Sequence, residues 1–329
     1  MGHLWSLFGD TWFLWDGFGP FRLLIGCRRA HDGWMASAET VSIDGHDVRF
    51  THPEKVMYPS TGLTKQGVLD YYLAVAPALI PLAKDRPVTR KRWMDGVGTA
   101  EAPGKVFFHK DIDKDAPEWI HTHTLEHDDH TNHYPLIDSP AVLAFYAQHN
   151  TLEFHVTQWR FGPRGAVRNP DRMMLDLDPG EGATAEQLLE LAHLLRERLA
   201  TDGIDTIPVP SGSKGIHIYG ALDGKRNSDE VTEYGLGIAE NLAEERPDLV
   251  VTNIRKAVRE GRILIDWSQN RAAKTTVAPY SLRGRLRPTV ACPRTWQEVE
   301  SGLEQLHWND ALELLKQRPC PLSALLGRE

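Results

Sequence analysis

The stretch MMLDLDPG, residues 173–180, contains an apolar run that carries two aspartates and ends in a Pro-Gly turn. Its alternation is typical of a β-strand, in which residues two apart lie on the same face. Leu175 and Leu177 would therefore enter a core, while Asp176 and Asp178 would share the other face. Two such carboxylates repel each other unless a cation lies between them, and oxygen ligands suit Mg²⁺ or Mn²⁺. A solvated strand end with two surface aspartates is the alternative, and the pair alone does not decide between them.

A third carboxylate lies in the apolar stretch ILIDW, residues 263–267. Asp266 ends a predicted buried strand, and a buried aspartate without a partner is costly, so a partner or a metal is expected there. Two carboxylates on one strand and a third on another form the ligand set of a two-metal phosphoryl-transfer site. We therefore expect Asp176, Asp178 and Asp266 to hold the metal ions.

The polar loop SGSKGIH, residues 211–217, has the chemistry of a phosphate-binding loop. Its glycines let the backbone approach an anion closely, and Ser211, Lys214 and His217 can each donate to phosphate oxygens. The spacing of glycine and lysine differs from that of a Walker P-loop. A polar turn between two strands with an exposed lysine is the structural alternative.

Basic residues concentrate between residues 255 and 287, although the whole chain has a net charge of −8. That stretch holds nine lysines and arginines, opposed only by Glu260 and Asp266. The overall charge argues weakly against a non-specific DNA coat protein, whereas the local run indicates a polyanion-binding surface. Within it, Lys274 and Arg283 are candidates for binding phosphates of a nucleotide or of DNA. A solvated basic surface is the alternative.

The composition, 41% hydrophobic and 25% charged, is that of an ordinary globular protein. Cys27, Cys292 and Cys320 are too scattered for a disulfide framework or a paired zinc knuckle, so a reducing cytoplasm is expected. We see no run of about 18 apolar residues and predict no membrane span.

Residues 1–34 are unusually rich in tryptophan and phenylalanine and lack the pattern of a signal peptide. We interpret them as mis-started or non-native sequence, with Met35 as the natural start, or alternatively as an arm docked on the domain. Residues 35–329 would form one catalytic domain, since no interdomain linker or internal repeat is visible.

Hydrophobic periodicity and turn signals predict mixed helices and strands without a regular βαβ repeat, which favours an α+β architecture. Asp44-Gly45 predicts a hairpin, and Pro77 is expected to end or kink the first helix. The predicted helices are 64–80, 140–148, 184–199, 228–245, 296–306 and 310–316. The predicted strands are 41–50 as the hairpin, 106–108, 150–159, 173–178, 207–209, 215–219 and 263–267.

Four motifs in this order, DLDPG, SGSKGIHIY, IDWSQN and KTTVAPYSLR, together resemble the polymerase domain of bacterial end-joining ligases, within the archaeo-eukaryotic primase superfamily. The resemblance extends from about residue 51 to about residue 306 and includes HPEKVMYP, RPVTRKRW and NTLEFHVTQWRF. It implies a primase-polymerase fold, with mixed and antiparallel central sheets flanked by helices and an active site between two lobes. It also implies a DNA-directed nucleotidyltransferase that fills short gaps or extends 3′ ends in DNA repair and tolerates ribonucleotides.

The resemblance assigns roles around the catalytic centre. Asp176, Asp178 and Asp266 would hold two Mn²⁺ or Mg²⁺ ions. His155 would lie near the primer end or the incoming nucleotide, although a histidine alternating with core residues can also be a satisfied structural group. The side chains that would bind the nucleotide triphosphate are Ser211, Lys214, His217, Lys91 and Arg283.

The same resemblance assigns DNA contacts. Lys55 and Lys65 match lysines that bind the 5′-phosphate on the far side of a gap or break. Phe107 and Phe108 match aromatics that stack on template bases, a contact that tolerates any sequence. Arg259 falls in a loop that arranges DNA ends. Without the resemblance, the phenylalanines could be core residues and the two lysines ordinary surface residues.

The implied partners are gapped or broken duplex DNA with a 5′-phosphate, nucleoside or deoxynucleoside triphosphates, a DNA ligase and an end-binding protein. We expect a monomer in the cytoplasm, associated with the nucleoid and not with a membrane. Two alternatives stay open: a primase that starts chains without a primer, and a non-catalytic module that bridges DNA ends. The lack of a cysteine zinc motif disfavours the first, and the three carboxylates disfavour the second.

The chain departs from the family pattern in places. Residues 161–173 form a shorter connection than the family loop, which bears on how DNA is handled. No Lys-x-Asp-Gly ligase motif is present, which indicates a polymerase domain without an attached ligase. A histidine-rich segment, predicted to be a loop, could bind Zn²⁺, although its spacing is irregular. Its histidines are His121, His123, His127, His130 and His133.

Overall fold

The computed structural model of the chain describes residues 26–28, 38–255 and 258–327. Of the aromatic-rich segment 1–34, only residues 26–28 fall within this description, so the expectations for that segment lie outside the described residues.

Strands and helices alternate irregularly along the described residues. The strands are β1 Gly26–Arg28, β2 Ala38–Ile43, β3 His46–Thr51, β4 Val56–Tyr58, β5 Leu63–Thr64, β6 Val88–Trp93, β7 Val106–His109, β8 Thr122–Glu126, β9 Thr131–Pro135, β10 Thr151–Val156, β11 Arg172–Pro179, β12 Thr206–Pro210, β13 Ile216–Ala221, β14 Val250–Val251, β15 Ile263–Asp266 and β16 Thr276–Val277. The helices are α1 Lys65–Ala83, α2 Pro140–Gln148, α3 Ala185–Thr201, α4 Ser228–Glu245, α5 Trp296–Ser301, α6 Trp308–Gln317 and α7 Pro321–Leu326.

Two sheets carry the two lobes of the molecule. One has the strand order β12-β13-β11-β15-β14 and is antiparallel apart from the parallel pair β14 and β15. The other has the order β16-β10-β6-β7 and is antiparallel. A hydrophobic cluster joins the first sheet to α3 and α4, and a larger one joins the second sheet to α1 and α2. The predicted α+β class with mixed and antiparallel sheets is confirmed.

Strand alternation in β11 places the carboxylates between the lobes. Leu175 and Leu177 pack in the cluster with α3 and α4, whereas Met174 belongs to the cluster of the other lobe. Asp176 and Asp178 share the face of Met174, because residues two apart point the same way. The fold therefore opens both aspartates toward the opposite lobe.

Local sequence signals account for many element boundaries. Thr184 caps α3 through a capping box, and the hairpin turn at Asp44-Gly45 has φ of +51° and +77° at these two residues, as a type I′ turn requires. α4 has the predicted bounds, since Asn227 supplies another capping box.

The first helix differs from its prediction. Thr64 caps it as expected, but α1 continues through Pro77 and Pro81 to Ala83. The buried faces of Leu79 and Leu82 pack in the core and outweigh the hydrogen bonds that proline removes.

α1 also bears on the prediction of no membrane span. By length and composition it is apolar enough to cross a membrane, so the expectation that no such stretch exists was wrong. However, 61% of that window is buried inside the domain, where α1 packs against α2. A core helix passes the same test, so this is weak evidence for a span.

Two regions were predicted wrongly because long-range contacts decide them. α5 ends at Ser301 and not at Leu306, since Gln305 turns away to contact the loop at residues 211–215. The histidine-rich segment is not a loop but the hairpin of β8 and β9.

The histidines of this hairpin separate instead of converging. His121 contacts Asp138, His133 contacts Asp111, His123 lies against Phe161, and His127 stacks on His130. Among the described residues of this segment, no group of three or more His, Cys, Asp or Glu side chains could hold a metal ion, so the zinc hypothesis for it is not supported.

Candidate active site

The register of the larger sheet assembles the three carboxylates. Asp176 on β11 lies directly opposite Asp266 on β15 and, on its other side, opposite His217 on β13. Asp178 follows two residues later on the same face of β11, at the end where the strand meets the Pro-Gly turn. The structure thus brings together the three predicted metal ligands and one predicted phosphate ligand.

The pKa of Asp176 is raised to about 7 by burial and by the neighbouring Asp266 and Asp178 carboxylates, while Arg283 and Arg259 oppose the shift only in part. His217 Nε2 lies 3.6 Å from Asp176 Oδ1, but burial, with Arg283 and His155, lowers the histidine pKa to about 3. The imidazole is therefore neutral and does not compensate the carboxylate.

Both other aspartates are held by neighbouring groups. Asp266 Oδ1 accepts from the backbone N–H of Ser268 at 3.0 Å and from its hydroxyl at 2.6 Å, and Oδ2 accepts from Gln269 Nε2 at 2.7 Å. Arg259 pairs with the Asp178 carboxylate and also donates to the Asp178 carbonyl at 3.1 Å. These contacts hold the two carboxylates in place, and in this arrangement the described residues do not form a group of three that could hold a metal ion.

The donor set fits divalent cations of the oxygen-binding class. Three carboxylates on neighbouring strands, with a neutral histidine beside them, are a surplus of negative charge that Mg²⁺ or Mn²⁺ would neutralise. Hard carboxylate oxygens favour these ions over the sulfur- and imidazole-preferring metals.

The loop at residues 211–215 lies beside the carboxylates. Gly212 has φ of +70°, and a Cβ there would lie 2.6 Å from Arg283 Cγ and 2.8 Å from the carbonyl carbon of Val290, so glycine is required. The Gln305 side chain accepts from the Gly212 N–H at 2.6 Å and donates to the Gly215 carbonyl at 3.0 Å. Gln305 was missed from the sequence because its loop partners lie about 90 residues away.

A cleft of about 750 Å³ lies between this loop and the end of β11 that carries Asp178. Lys214 is exposed and lines the cleft together with Asp178 and Arg259. Ser211 is buried, and its carbonyl accepts from Arg283. Lys274, in contrast, is exposed on the loop that leads into β16, and its side chain does not line the cleft within the described residues.

A buried carboxylate, Glu153, organises the side of the site formed by β10. Its Oε2 atom lies 2.7 Å from His155 Nε2 and 3.2 Å from Lys91 Nζ. Its Oε1 atom lies 3.4 Å from Arg283 Nε and accepts from the Gly284 N–H at 2.8 Å. Glu153 therefore contacts three of the predicted site residues at once.

Electrostatics keep Glu153 ionised. Burial would raise its pKa, but His155, Arg283 and Lys91 hold it well below the usual value. Burial lowers the pKa of His155, against the opposing effect of Glu153. Sequence reasoning missed Glu153, although it shares a strand face with His155 in the same spacing of two that identified Asp176 and Asp178.

A second cavity, of about 580 Å³, is lined by Lys55 and Lys65. Lys65 is buried, and its ammonium donates to the Thr51 carbonyl and to Gln148 Oε1, each at 2.8 Å. Burial, with the nearby Lys55, lowers the pKa of Lys65 to about 8. The alternative that Lys65 is an ordinary surface lysine is therefore wrong, and the cavity concentrates positive charge.

The two phenylalanines of β7 point to opposite faces. Phe108 is 63% exposed, with Lys91 Nζ 5.0 Å from its ring centroid. Phe107 is half-buried, with Lys105 Nζ 4.9 Å from its ring. The alternative that both are core residues is wrong, and Phe108 presents an aromatic face to solvent beside Lys91.

This chain is similar to known proteins of one family. The model of the LigD primase-polymerase domain family matches residues 64–322. A multifunctional non-homologous end joining protein LigD from Mycolicibacterium smegmatis is 44% identical over 273 residues, which cover 82% of this chain and 35% of that protein. A LigD protein from Pseudomonas aeruginosa is 29% identical over 307 residues, covering 92% of this chain and 34% of that protein. The chain thus spans about a third of these relatives.

Among solved structures, the polymerase domain of Mycobacterium tuberculosis ligase D in complex with DNA is similar to this chain, with a TM-score of 0.81 and 42% identity. The match covers 85% of this chain and 98% of that one.

Proposed function

This chain belongs to the LigD primase-polymerase domain family, and from that premise we propose that it adds nucleotides to the 3′ ends of gapped or broken DNA, under the direction of a template. The observation that carries the proposal is the register of β11 and β15, which sets Asp176 opposite Asp266, with Asp178 on the same face of β11 and lining a cleft that Lys214 also lines.

Asp176, Asp178 and Asp266 would hold two Mg²⁺ or Mn²⁺ ions. When bound, these ions lower the pKa of an attacking 3′-hydroxyl and neutralise the triphosphate. The remaining chemistry of the chain is positional and electrostatic. Lys91, Lys214 and Arg283 would bind the phosphates. The His217 imidazole is neutral, so it could donate a hydrogen bond to a phosphate oxygen but would add no positive charge.

The DNA would extend from this cleft across Phe108 to the lysine-lined cavity. Phe108 offers a stacking face for a template base, and Lys55 and Lys65 offer charge for a 5′-phosphate beyond a gap. Arg259, which pairs with Asp178 in this structure, is proposed to contact DNA ends.

The end-joining proteins among the relatives favour a role in break repair. We propose that a DNA ligase and an end-binding protein are its partners, that ribonucleotides are accepted, and that the protein is a monomer in the cytoplasm, associated with the nucleoid. A ligase partner would seal the strand that this chain extends.

The test is primer extension on a gapped duplex carrying a 5′-phosphate, with Mn²⁺ and either ribonucleotides or deoxyribonucleotides. Wild-type protein is expected to extend the primer, and Asp176→Ala to lose extension while still binding the DNA. Normal extension by Asp176→Ala would end the metal hypothesis. Binding without extension by the wild type would favour the DNA-bridging alternative, and products on an unprimed single strand would favour a primase.

A further inference from the structure

Glu153 is the one carboxylate among the described residues that contacts Lys91, His155 and Arg283 together. We propose that Glu153 is a positioning residue that orients these three side chains toward the triphosphate, an inference that rests on the proposed function of the site.

Burial argues for positioning and against direct contact with the substrate. Glu153 is only 3% exposed, and both of its oxygens already accept from neighbours, including the Gly284 N–H at 2.8 Å. A second anion could not approach such a carboxylate without repulsion. Its influence on the triphosphate must therefore pass through the side chains it holds.

The three partners lie on three segments of the chain, two of which, β6 and β10, pair directly in one sheet. Lys91 belongs to β6, His155 to β10, and Arg283 to the segment that also contacts the Ser211 carbonyl. Lysine and arginine side chains lose much rotamer freedom when a ligand orders them, and a shared carboxylate orders them in advance. Glu153 thus couples the second sheet to the loop at residues 211–215.

The contact also decides which nitrogen of His155 carries the proton. An ionised carboxylate can only accept, so Nε2 must donate across the 2.7 Å contact. Nδ1 of the neutral ring is then an acceptor, available to a hydroxyl or a water. Without the carboxylate, the His155 ring would no longer be held in one orientation or in this tautomer.

If Glu153 had a different role, its removal would change KM for the nucleotide in the opposite direction. If it merely neutralised excess positive charge, its removal would leave a more cationic site that binds the triphosphate more tightly. If it positions the cations, its removal would weaken binding despite the gain in net charge. The sign of the change in KM therefore separates the two roles.

The experiment compares Glu153→Gln with wild type in primer extension at saturating DNA and Mn²⁺. We expect KM for the nucleotide to rise by about tenfold or more, the loss expected for charge-assisted hydrogen bonds, with kcat of the folded fraction within about threefold. Glu298→Gln is the matched control, because Glu298 also holds two arginines, Arg294 and Arg318, but does not contact the groups of the site. It should lower Tm and leave KM unchanged. An unchanged or lower KM in Glu153→Gln would overturn the positioning role.

Two further measurements keep the inference testable on its own. Calorimetric titration with inorganic tripolyphosphate and Mn²⁺ needs no catalysis, and Glu153→Gln should bind it about tenfold more weakly. If the wild type extends no primer, the proposed function fails while this titration still tests Glu153. If the wild type extends and both proteins bind tripolyphosphate equally, only the positioning role fails.

In case the Glu153→Gln variant does not fold, ¹⁵N NMR of the wild-type protein measures the tautomer of His155, whose signal is assigned with His155→Phe. The Nε2–H tautomer is expected, and the Nδ1–H tautomer would contradict the proposal.

Discussion

Asp176 and Asp266 face each other as direct cross-strand partners on β11 and β15. Like charges opposite one another destabilise a sheet, and Asp178 adds a third carboxylate on the same face. Groups that destabilise the unliganded fold are typical of binding sites, so we interpret this repulsion as the cost of a cation site. The buried ammonium of Lys65 is likewise unfavourable in the absence of an anion. The effect of each charged group can be measured.

Asp176→Asn should abolish extension and stabilise the metal-free protein. Activity should fall by about two orders of magnitude or more, because a metal ligand is lost. In the folded state the pKa of Asp176 is raised from 3.8 to about 7, so the carboxylate destabilises the fold most above pH 7 and not at all below about 4. In a chelating buffer the variant should therefore show a higher Tm at pH 8, and the difference should shrink as the pH falls from 7 to 4. A lower Tm at pH 8 would contradict this account.

The affinity for a 5′-phosphate should decrease as the pH rises through about 8. The pKa of Lys65 is lowered to about 8, so the ammonium is charged below that pH and neutral above it. A phosphate monoester keeps its double charge over pH 7 to 9, so it does not cause the change. Binding of gapped DNA should weaken by up to about tenfold per pH unit above 8. Fluorescence anisotropy with 5′-phosphate and 5′-hydroxyl DNA would measure it.

The control for this prediction removes one partner at a time. The affinity of the wild type for DNA with a 5′-hydroxyl should not change with pH. The affinity of Lys65→Met should not change with pH either, and this variant should lose the preference for 5′-phosphate over 5′-hydroxyl DNA. A pH dependence that persists in Lys65→Met would place the titrating group elsewhere.

Period-two alternation made the carboxylate cluster predictable, because Asp176 and Asp178 lie two residues apart on one strand and Asp266 lies on another. Local caps likewise identified α3. Glu153 and Gln305 were not predictable, since their importance depends on partners brought close only by the fold. Lys65 shows the same limit: its buried ammonium contacts Thr51 and Gln148, which are 14 and 83 residues away. The β8 and β9 hairpin was missed because its polar sequence lacks the apolar alternation of a half-buried strand.

Phe108→Ala should weaken template binding without destabilising the fold. The ring is 63% exposed, so its removal leaves little cavity. Loss of a base-stacking surface should cost roughly 1–3 kcal/mol of DNA affinity, and Phe108→Trp should retain most of it. Anisotropy titrations and thermal melts would separate the two effects. An Ala variant that binds a gapped duplex as tightly as the wild type would show that this face does not contact the template.

Gln305→Ala should loosen the loop at residues 211–215 and raise KM for the nucleotide. Its side chain contacts the Gly212 N–H and the Gly215 carbonyl, so truncation leaves the Gly212 N–H without its protein partner, while the Gly215 carbonyl keeps the Ser211 N–H at 3.0 Å. We expect a rise in KM of about three- to tenfold and a loss of about 1–3 kcal/mol in the free energy of unfolding. Gln305→Glu keeps the acceptor for Gly212 but replaces the donor to Gly215 with a charge that repels its carbonyl. It should therefore stay impaired, whereas Gln305→Asn, one methylene shorter, should recover part of the loop order. Steady-state kinetics and chemical denaturation of the three variants would measure this, and an unchanged KM in Gln305→Ala would show that the loop holds its shape without Gln305.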